Sequence, residues 1–373
     1  MNIGIDISQI IYEGTGVSRF TYQLVKKILS SDTGHSWTFF FSSLKHGLHA
    51  DIVQEIASRD FKLIRWPIPP RLLSVIWNDS NIRQHSPIPT IFDLFISSDW
   101  TQPPPKIAQY SSTIVHDLVF KEHPDTVDPL ILDTQTKRLE HVVRECQIIW
   151  CDSESTIQDL KKYYPNTKGM VRLNYPGVLA PTLDKKNIFT YDFKPGEYFF
   201  SVGKIEPRKN LNRLIQSFLQ LIDQPRYQKL SLVIAGPQGW DTEIEKFKHP
   251  QIYLLGSVDD SHLALLYKEA LAFVYPSIYE GFGIPPLEAM SLGCPVIMSN
   301  TSSLSEIGTP QSNLFIDPYS VEELTQAMQQ IADNKQLRDS LINGGYSNIK
   351  HFTWDMYLQN MLKSINTLES CEK

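Results

Sequence analysis

The sequence predicts an α/β protein made of two doubly wound units, each a parallel sheet wrapped by helices. Three observations predict it. Short apolar runs alternate with helical periodicity along the chain. The alternation pauses once, in a stretch rich in Pro, Gly and charge, and then restarts. The 373 residues also exceed what one hydrophobic core usually serves.

The first apolar run, NIGIDI, leads through the loop SQIIYEGTG into a predicted helix from Val17 to Leu29, where Phe20, Leu24 and Ile28 share one face at spacings of four. WTFFF, TIFDLFIS, SSTIVHD and CQIIWCD are predicted strands, each apolar enough to be buried on both sides of a parallel sheet. Between Tyr175 and Glu197 the text YPGVLAPTLDKKNIFTYDFKPGE has no clear period and reads as an interdomain linker. This places a first domain at 1–178, a linker and candidate hinge at 179–196, and a second domain at 197–353. The second begins with YFFSVG and a helix from about Asn210. LSLVIAG and IYLLG, a helix through HLALLYKEA, AFVYPS, a helix through PLEAMSLG, and PVIMS complete it. From Val321 onward the pattern is helical, and the last helix, in 354–373, is expected to cross back onto the first domain.

With 42% hydrophobic and 20% charged residues, the composition is globular. A formal net charge of −6 excludes a general affinity for nucleic acid, which needs a surplus of Lys and Arg. The four cysteines, Cys146, Cys151, Cys294 and Cys371, have neither zinc spacing nor the density of a disulfide scaffold, so they read as free thiols of a reducing compartment. MNIGIDIS lacks a signal peptide's basic and apolar regions, and no apolar run reaches about 18 residues. The expectation is a cytoplasmic protein whose membrane contact, if any, is peripheral at the cytoplasmic face. RWPIPPRLLSVIW, from Arg65 through Trp66 and Arg71 to Trp77, has two readings: a core-packed helix with two surface arginines, or a face for a membrane or a lipid-linked acceptor.

The densest chemical signal is PSIYEGFGIPPLEAMSLGCPVI. A strand ends at Pro276, a glycine-bearing loop carries Glu280, and Pro285 and Pro286 open a helix holding Glu288. Gly281 and Gly283 let backbone amides approach a ligand, and the helix start adds donors and partial positive charge. Two carboxylates and these amides suit an anionic, polyhydroxylated ligand; the competing reading has Glu288 capping the helix and Glu280 solvated. The second cluster, SVGKIEPRKNLNRLI, packs Lys204, Arg208 and Lys209 between a strand ending at Gly203 and a helix start, as a diphosphate site requires; the competing reading is a solvated basic loop. His116, followed by Asp117 at a strand end, is either catalytic or hydrogen-bonded structure. Asp152, Asp259 and Asp260 read as loop and cap residues, and no metal site is expected.

These motifs together resemble the family 4 retaining glycosyltransferases of the GT-B fold. GKIEPRKN is similar to the family's phosphate loop and EGFGIPPLE to its paired-glutamate signature. IVHDLVFKEHPD and WCDSEST are similar to its acceptor-domain motifs, and LVIAGPQGW and GSVDDSHLALLY to its nucleotide-domain strands. The resemblance implies a GT-B architecture of two Rossmann-like doubly wound domains facing each other across a cleft. It implies that Glu280, with Gly281, Phe282, Gly283 and Ile284, holds the donor sugar, and that Glu288 holds the ribose. Arg208 and Lys209 neutralise the diphosphate beside Gly203 and Lys204, and the base lies near Val258. His116 faces the reacting sugar, and the loop Gly14 to Gly16 sits near the phosphates or the acceptor, although its two glycines leave the backbone more constrained than a richer loop. The implied catalytic residues are His116, Glu280 and Lys209.

The implied partners are a nucleotide-sugar donor and a saccharide or lipid-linked acceptor, with no cofactor and no metal. The implied reaction retains the anomeric configuration, the departing phosphate oxygen itself accepting the acceptor's proton. The pattern most resembles bacterial mannosyltransferases of O-antigen and capsule assembly, which makes GDP-mannose the first expectation. A UDP-sugar-dependent transferase and a GT-B-fold nucleotide-sugar epimerase are the alternatives. A noncatalytic sugar-nucleotide sensor ranks below both, because Glu280, Glu288, Lys209 and His116 are all present.

Overall fold

The computed structural model describes residues 1–12, 14–83, 92–184, 191–241 and 243–370. Two compact units emerge: Met1–Gly177 together with Trp354–Lys373, and Val178–Thr353.

The first unit holds β1 (Asn2–Asp6), β2 (Ser36–Ser42), β3 (Lys62–Trp66), β4 (Phe92–Ser97), β5 (Ala108–Val115), β6 (Ile148–Cys151) and β7 (Met170–Leu173). They form one seven-stranded sheet in the order β3-β2-β1-β4-β5-β6-β7. Every pairing is parallel; Ile3 of β1, for example, lies between Trp37 and Leu94. The strand order reverses between β1 and β4, and in such sheets ligands bind outside the carboxyl ends of the strands at that point.

Thr15 caps the helix Gly16–Ser30 by accepting from the Ser18 amide at 3.2 Å. The helix buries Phe20, Leu24, Val25, Ile28 and Leu29 against the sheet. The helix Trp354–Ser370 joins the same core through Tyr357, Leu358, Met361, Ile365 and Leu368. Each such side chain, fully buried, contributes about 1.5–3 kcal/mol.

The second unit holds β8 (Tyr198–Val202), β9 (Ser231–Ala235), β10 (Ile252–Gly256), β11 (Ala272–Tyr275), β12 (Val296–Ser299) and β13 (Asn313–Ile316). The order is β10-β9-β8-β11-β12-β13, again all parallel, with the reversal between β8 and β11. The helix Leu211–Ile222 buries Leu211, Leu214, Ile215, Phe218, Leu221 and Ile222. The fold class is thus two parallel-sheet Rossmann-like domains, as the alternating pattern predicts.

The strands that the apolar-run rule misses are β3, β7 and β13, and all three lie at sheet edges. An edge strand is covered less completely, so it tolerates Lys62 and Arg65 in β3 and Arg172 in β7, which interrupt the apolar run. Of the predicted strand TIFDLFIS, Thr90 and Ile91 lie outside the described residues. Within 179–196, residues 185–190 also lie outside them; Tyr191 stacks on Phe193 at 4.6 Å, and Phe193 meets Tyr198 edge-on at 4.8 Å. Cys146, Cys151 and Cys294 are buried free thiols, and Cys371 lies outside the described residues. Among the described residues no helix is long and apolar enough to cross a membrane.

Candidate active site

In the second unit the loops after β8 and β11 meet at the reversal of strand order. Beyond Val202, Gly203 and Gly236 bring the ends of β8 and β9 together so closely that a Cβ on Gly236, whose φ is +139°, would lie 2.0 Å from the Gly203 carbonyl oxygen. The loop then turns through Pro207–Lys209 to Asn210, which holds the left-handed conformation that Asn tolerates. The Asn210 side chain donates to the carbonyls of Pro276 at 3.0 Å and Pro318 at 2.6 Å, and the Ile278 amide donates to the Arg208 carbonyl at 2.8 Å. These bonds dock the basic loop onto the loop that carries Glu280.

Three charged side chains converge there. Lys209 Nζ donates to Glu280 Oε1 at 2.5 Å and to the Tyr275 hydroxyl at 2.6 Å. Arg208 donates to Glu280 Oε2 at 2.7 Å and to the Tyr279 carbonyl at 3.2 Å, and its Nε reaches Glu206 at 3.3 Å. Lys209 and Glu280 are each only 8% exposed, which removes the solvated readings of both. Burial would raise the Glu280 carboxyl, but Arg208 and Lys209 outweigh it and hold the group at about 2. Burial, followed by the neighbouring Arg208 charge, lowers the Lys209 ammonium. The two cations therefore already have carboxylate partners. Lys204 stands apart: it is exposed, with its ammonium 4.4 Å above the Trp240 ring. The expected convergence of three cations is thus a convergence of two.

Glu280 is fixed through its backbone as well. Its amide donates to Ser302 Oγ at 3.0 Å, and Ser303 Oγ donates to the carbonyls of Glu280 and Phe282, each at 2.8 Å. The helix Ile284–Ser291 starts from Gly283 at φ +111°, where a Cβ would lie 2.6 Å from Ile307 Cδ1. Phe282 is buried edge-on against Phe352, while Gly281 and Ile284 are half-buried. Glu288 lies within the helix, so it does not cap it; it is buried and accepts from the Tyr267 hydroxyl at 3.1 Å. Val258 is half-buried after β10, two strands from β8. Asp259 caps the helix Asp260–Glu269, as expected.

His116 and Gly16 belong to the first unit. Gly16 begins its helix in the loop after β1, of which Glu13 lies outside the described residues. His116 follows β5, and its Nδ1 is 2.6 Å from Oδ2 of Asp152, which follows β6. Asp152 is therefore the partner of a histidine and not a cap; the capping role belongs to Ser153. Burial disfavours the imidazolium, but the Asp152 charge and hydrogen bond outweigh it and raise His116 to about 9.

Sequence reasoning missed Asp152, Tyr275, Tyr267, Ser302 and Ser303. Both tyrosines stand in apolar stretches and look like core, since nothing in those stretches tells where a hydroxyl points. Trp240 was visible only as part of LVIAGPQGW.

The family described as "Glycosyl transferases group 1" matches residues 185–348. The chain is 34% identical over 186 residues to O-antigen chain mannosyltransferase B of Escherichia coli, covering 48% of this chain and 47% of that protein. The matched part thus spans about half the length of that curated relative. Among solved structures, sucrose-phosphate synthase from Thermosynechococcus elongatus has a TM-score of 0.72 at 19% identity, with all of both chains covered. Alr3699/HepE from Anabaena, in complex with UDP and glucose, has a TM-score of 0.66 at 13% identity, covering 98% of this chain and 100% of that one. At such identities these two likenesses speak for the fold alone. In a chain of two Rossmann-like units, residues 185–348 match the glycosyl transferases group 1 family.

Proposed function

We propose that the protein is a retaining glycosyltransferase that moves a hexose, mannose from GDP-mannose in the first instance, from a nucleotide-diphosphate donor to a saccharide or lipid-linked saccharide in polysaccharide assembly. The observation that carries this reading is the buried cluster of Arg208, Lys209 and Glu280, beside a glycine-led helix start at the strand-order reversal of the matched domain. The likeness to an O-antigen mannosyltransferase supports mannose. The UDP and glucose bound by the Anabaena protein keep a UDP-sugar as the alternative donor.

On this reading Arg208 and Lys209 turn from Glu280 to the diphosphate, and Glu280 then accepts hydrogen bonds from the sugar hydroxyls. Glu288, oriented by Tyr267, takes the ribose hydroxyls, and the base lies near Val258. Gly203 and the amides from Gly281 to Ile284 line the donor, while Lys204 and Trp240 flank it. The acceptor oxygen bonds to the anomeric carbon on the face from which the phosphate oxygen departs, and the hydroxyl proton passes to that oxygen. No protein base is needed, and two cations with the helix start supply the positive charge, so no divalent metal is required.

The domains are taken as an acceptor-binding 1–178, a linker at 179–196, a donor-binding 197–353, and a final helix in 354–373 serving the first. The protein is taken as cytoplasmic, with peripheral membrane contact through the helix Pro70–Asn78. Leu72 and Val75 there are each 52% exposed beside the exposed Arg71, whereas Trp77 is in the core and takes no part.

Thermal shifts with GDP, UDP, ADP and their sugars, followed by product analysis with a saccharide acceptor, test the function. Stabilisation by GDP and GDP-mannose with an α-linked product is expected. A free isomerised sugar nucleotide formed without acceptor would mark an epimerase and overturn it.

A further inference from the structure

Three adjacent strands of the second unit end level with one another. The Gly203 amide, after β8, donates to the Ala235 carbonyl of β9 at 3.0 Å, and the Gly236 amide, after β9, donates to the Gly256 carbonyl of β10 at 2.7 Å. Neighbouring strands lie about 4.8 Å apart, so the three ends span about 10 Å, roughly the reach from a nucleotide's first phosphate to the far edge of its base. With the diphosphate at the basic loop after β8 and the base near Val258 after β10, the nucleoside crosses the loop after β9. That loop presents Trp240. Gly239 before it is packed so closely that a Cβ would lie 2.1 Å from the Ile205 carbonyl oxygen and 3.3 Å from Lys204 Cγ. The Ile205 amide donates to the Pro237 carbonyl at 3.1 Å, and the Asp241 amide donates to the Ile205 carbonyl at 3.2 Å. These contacts on both sides of Trp240 fix it beside Lys204, whose ammonium stands 4.4 Å from the ring centre. The indole is 39% exposed, so a large aromatic surface is held in place by its backbone and left open to a ligand. Among the described residues the Lys204 ammonium makes no hydrogen bond or ion pair, and its N–H donors are free.

We propose that Trp240 and Lys204 select the nucleobase of the donor, and that they select guanine: the indole carries the flat base, and the ammonium donates to guanine O6 and N7. This rests on the transferase reading and deepens it by assigning base choice to two named side chains. They act as independent filters. An indole gains more from the fused rings of a purine than from the single ring of a pyrimidine, because the attraction grows with the area of overlap. An ammonium only donates, so it is served by O6 and N7 of guanine or by the lone O4 of uracil, whereas adenine and cytosine turn an amino group toward it. Guanine alone passes both filters. Cation–π attraction keeps the ammonium beside the ring without consuming its N–H donors. Of the three cations in the basic loop, Arg208 and Lys209 bind Glu280, which leaves Lys204 for the base.

The test titrates GDP, inosine diphosphate, ADP and UDP into the full chain by calorimetry, as wild type, Lys204→Met, Trp240→Leu and Trp240→Phe. Wild type is expected to bind GDP and inosine diphosphate within about threefold of each other, because both carry O6 and N7, and ADP and UDP at least about tenfold more weakly. Lys204→Met should bring GDP and ADP to within about threefold of each other, since the group that tells O6 from an amino group has gone. Trp240→Leu should weaken GDP by about tenfold or more and bring GDP close to UDP, with Trp240→Phe between it and wild type. A folded Trp240→Leu that binds GDP as wild type does, a Lys204→Met that keeps its preference for GDP over ADP, or a wild type that prefers ADP or UDP would overturn the proposal; a nucleotide still binds in each case, and the transferase reading stands. If Trp240→Leu does not fold, Trp240→Phe and Lys204→Met decide. If none of the nucleotides binds wild type, the transferase reading itself fails and takes the proposal with it.

Discussion

Replacing Glu280 with Gln separates the role of that carboxylate in the fold from its role toward a ligand. In the folded protein Arg208 and Lys209 hold the carboxyl at about 2, against an ordinary value of 4.5. At about 1.4 kcal/mol per pH unit this corresponds to about 3 kcal/mol of stability. Because the folded value is depressed, that stability is fully present above the unfolded value and is lost as the pH falls from about 4.5 toward 2. Glu280→Gln should therefore melt roughly 6–12 °C below wild type at pH 7, for a unit of this size. The difference should narrow below about pH 4.5 and vanish only as the pH approaches about 2.

The same substitution frees Arg208 and Lys209 from a competing carboxylate. Free nucleotide diphosphate should bind the variant at least as tightly as wild type, and up to about tenfold more tightly. Transfer should drop by about a hundredfold or more, because the acceptor for the sugar hydroxyls has gone. Calorimetric melting from pH 3 to 8 and titration of the diphosphate measure both effects. A variant as stable as wild type at pH 7, or one that loses diphosphate affinity as severely as Glu288→Ala, would refute the reasoning.

Glu288→Ala should weaken nucleotide binding by about 10- to 100-fold, and Tyr267→Phe by a smaller factor near fivefold, matching one lost hydrogen bond; equal effects from the two in the binding titration would deny Tyr267 its orienting role. Lys209→Ala should cut turnover by about a hundredfold without rescue by magnesium or manganese, and wild type should survive exhaustive EDTA treatment. EDTA inhibition reversed by added metal would assign the charge compensation elsewhere. Leu72→Asp combined with Val75→Asp should abolish flotation with anionic vesicles while leaving the melting temperature within about 2 °C of wild type, since both side chains are exposed; wild type staying wholly in the lipid-free fraction would count against membrane contact.

The site was legible where chemistry is written in residue type and spacing. KIEPRKN and EGFGIPPLE identify cations, a carboxylate and glycines beside helix starts, and Arg208, Lys209 and Glu280 do meet. Spacing along the chain did not reveal that Lys204, five residues before Lys209, turns instead toward Trp240. Nor did it reveal the Asp152 partner of His116, because 36 residues separate them in sequence and only the parallel register of β5 and β6 joins them. Tyr275 and Tyr267 were invisible for a related reason: an aromatic residue in an apolar run is equally a core residue, and the direction of its hydroxyl follows from packing.

The sequence by itself determined the α/β class, the restart of the pattern, most strands, and the helices that begin at Gly16, Leu211 and Ile284, because these follow from local periodicity, capping and the backbone preferences of Gly and Pro. Tertiary structure decided which chain segments share a core, as when Tyr357, Met361 and Ile365 join Phe20 and Leu24 in the first unit. It also decided the strand order, the sheet edges at β3, β7 and β13, and the pairing of His116 with Asp152 and of Arg208 and Lys209 with Glu280. The physical reason is that local propensity acts over a few residues. A buried ammonium or carboxylate such as Lys209 or Asp152 is stabilised by an opposite charge from a distant segment, and the completed fold alone brings that segment within 3 Å.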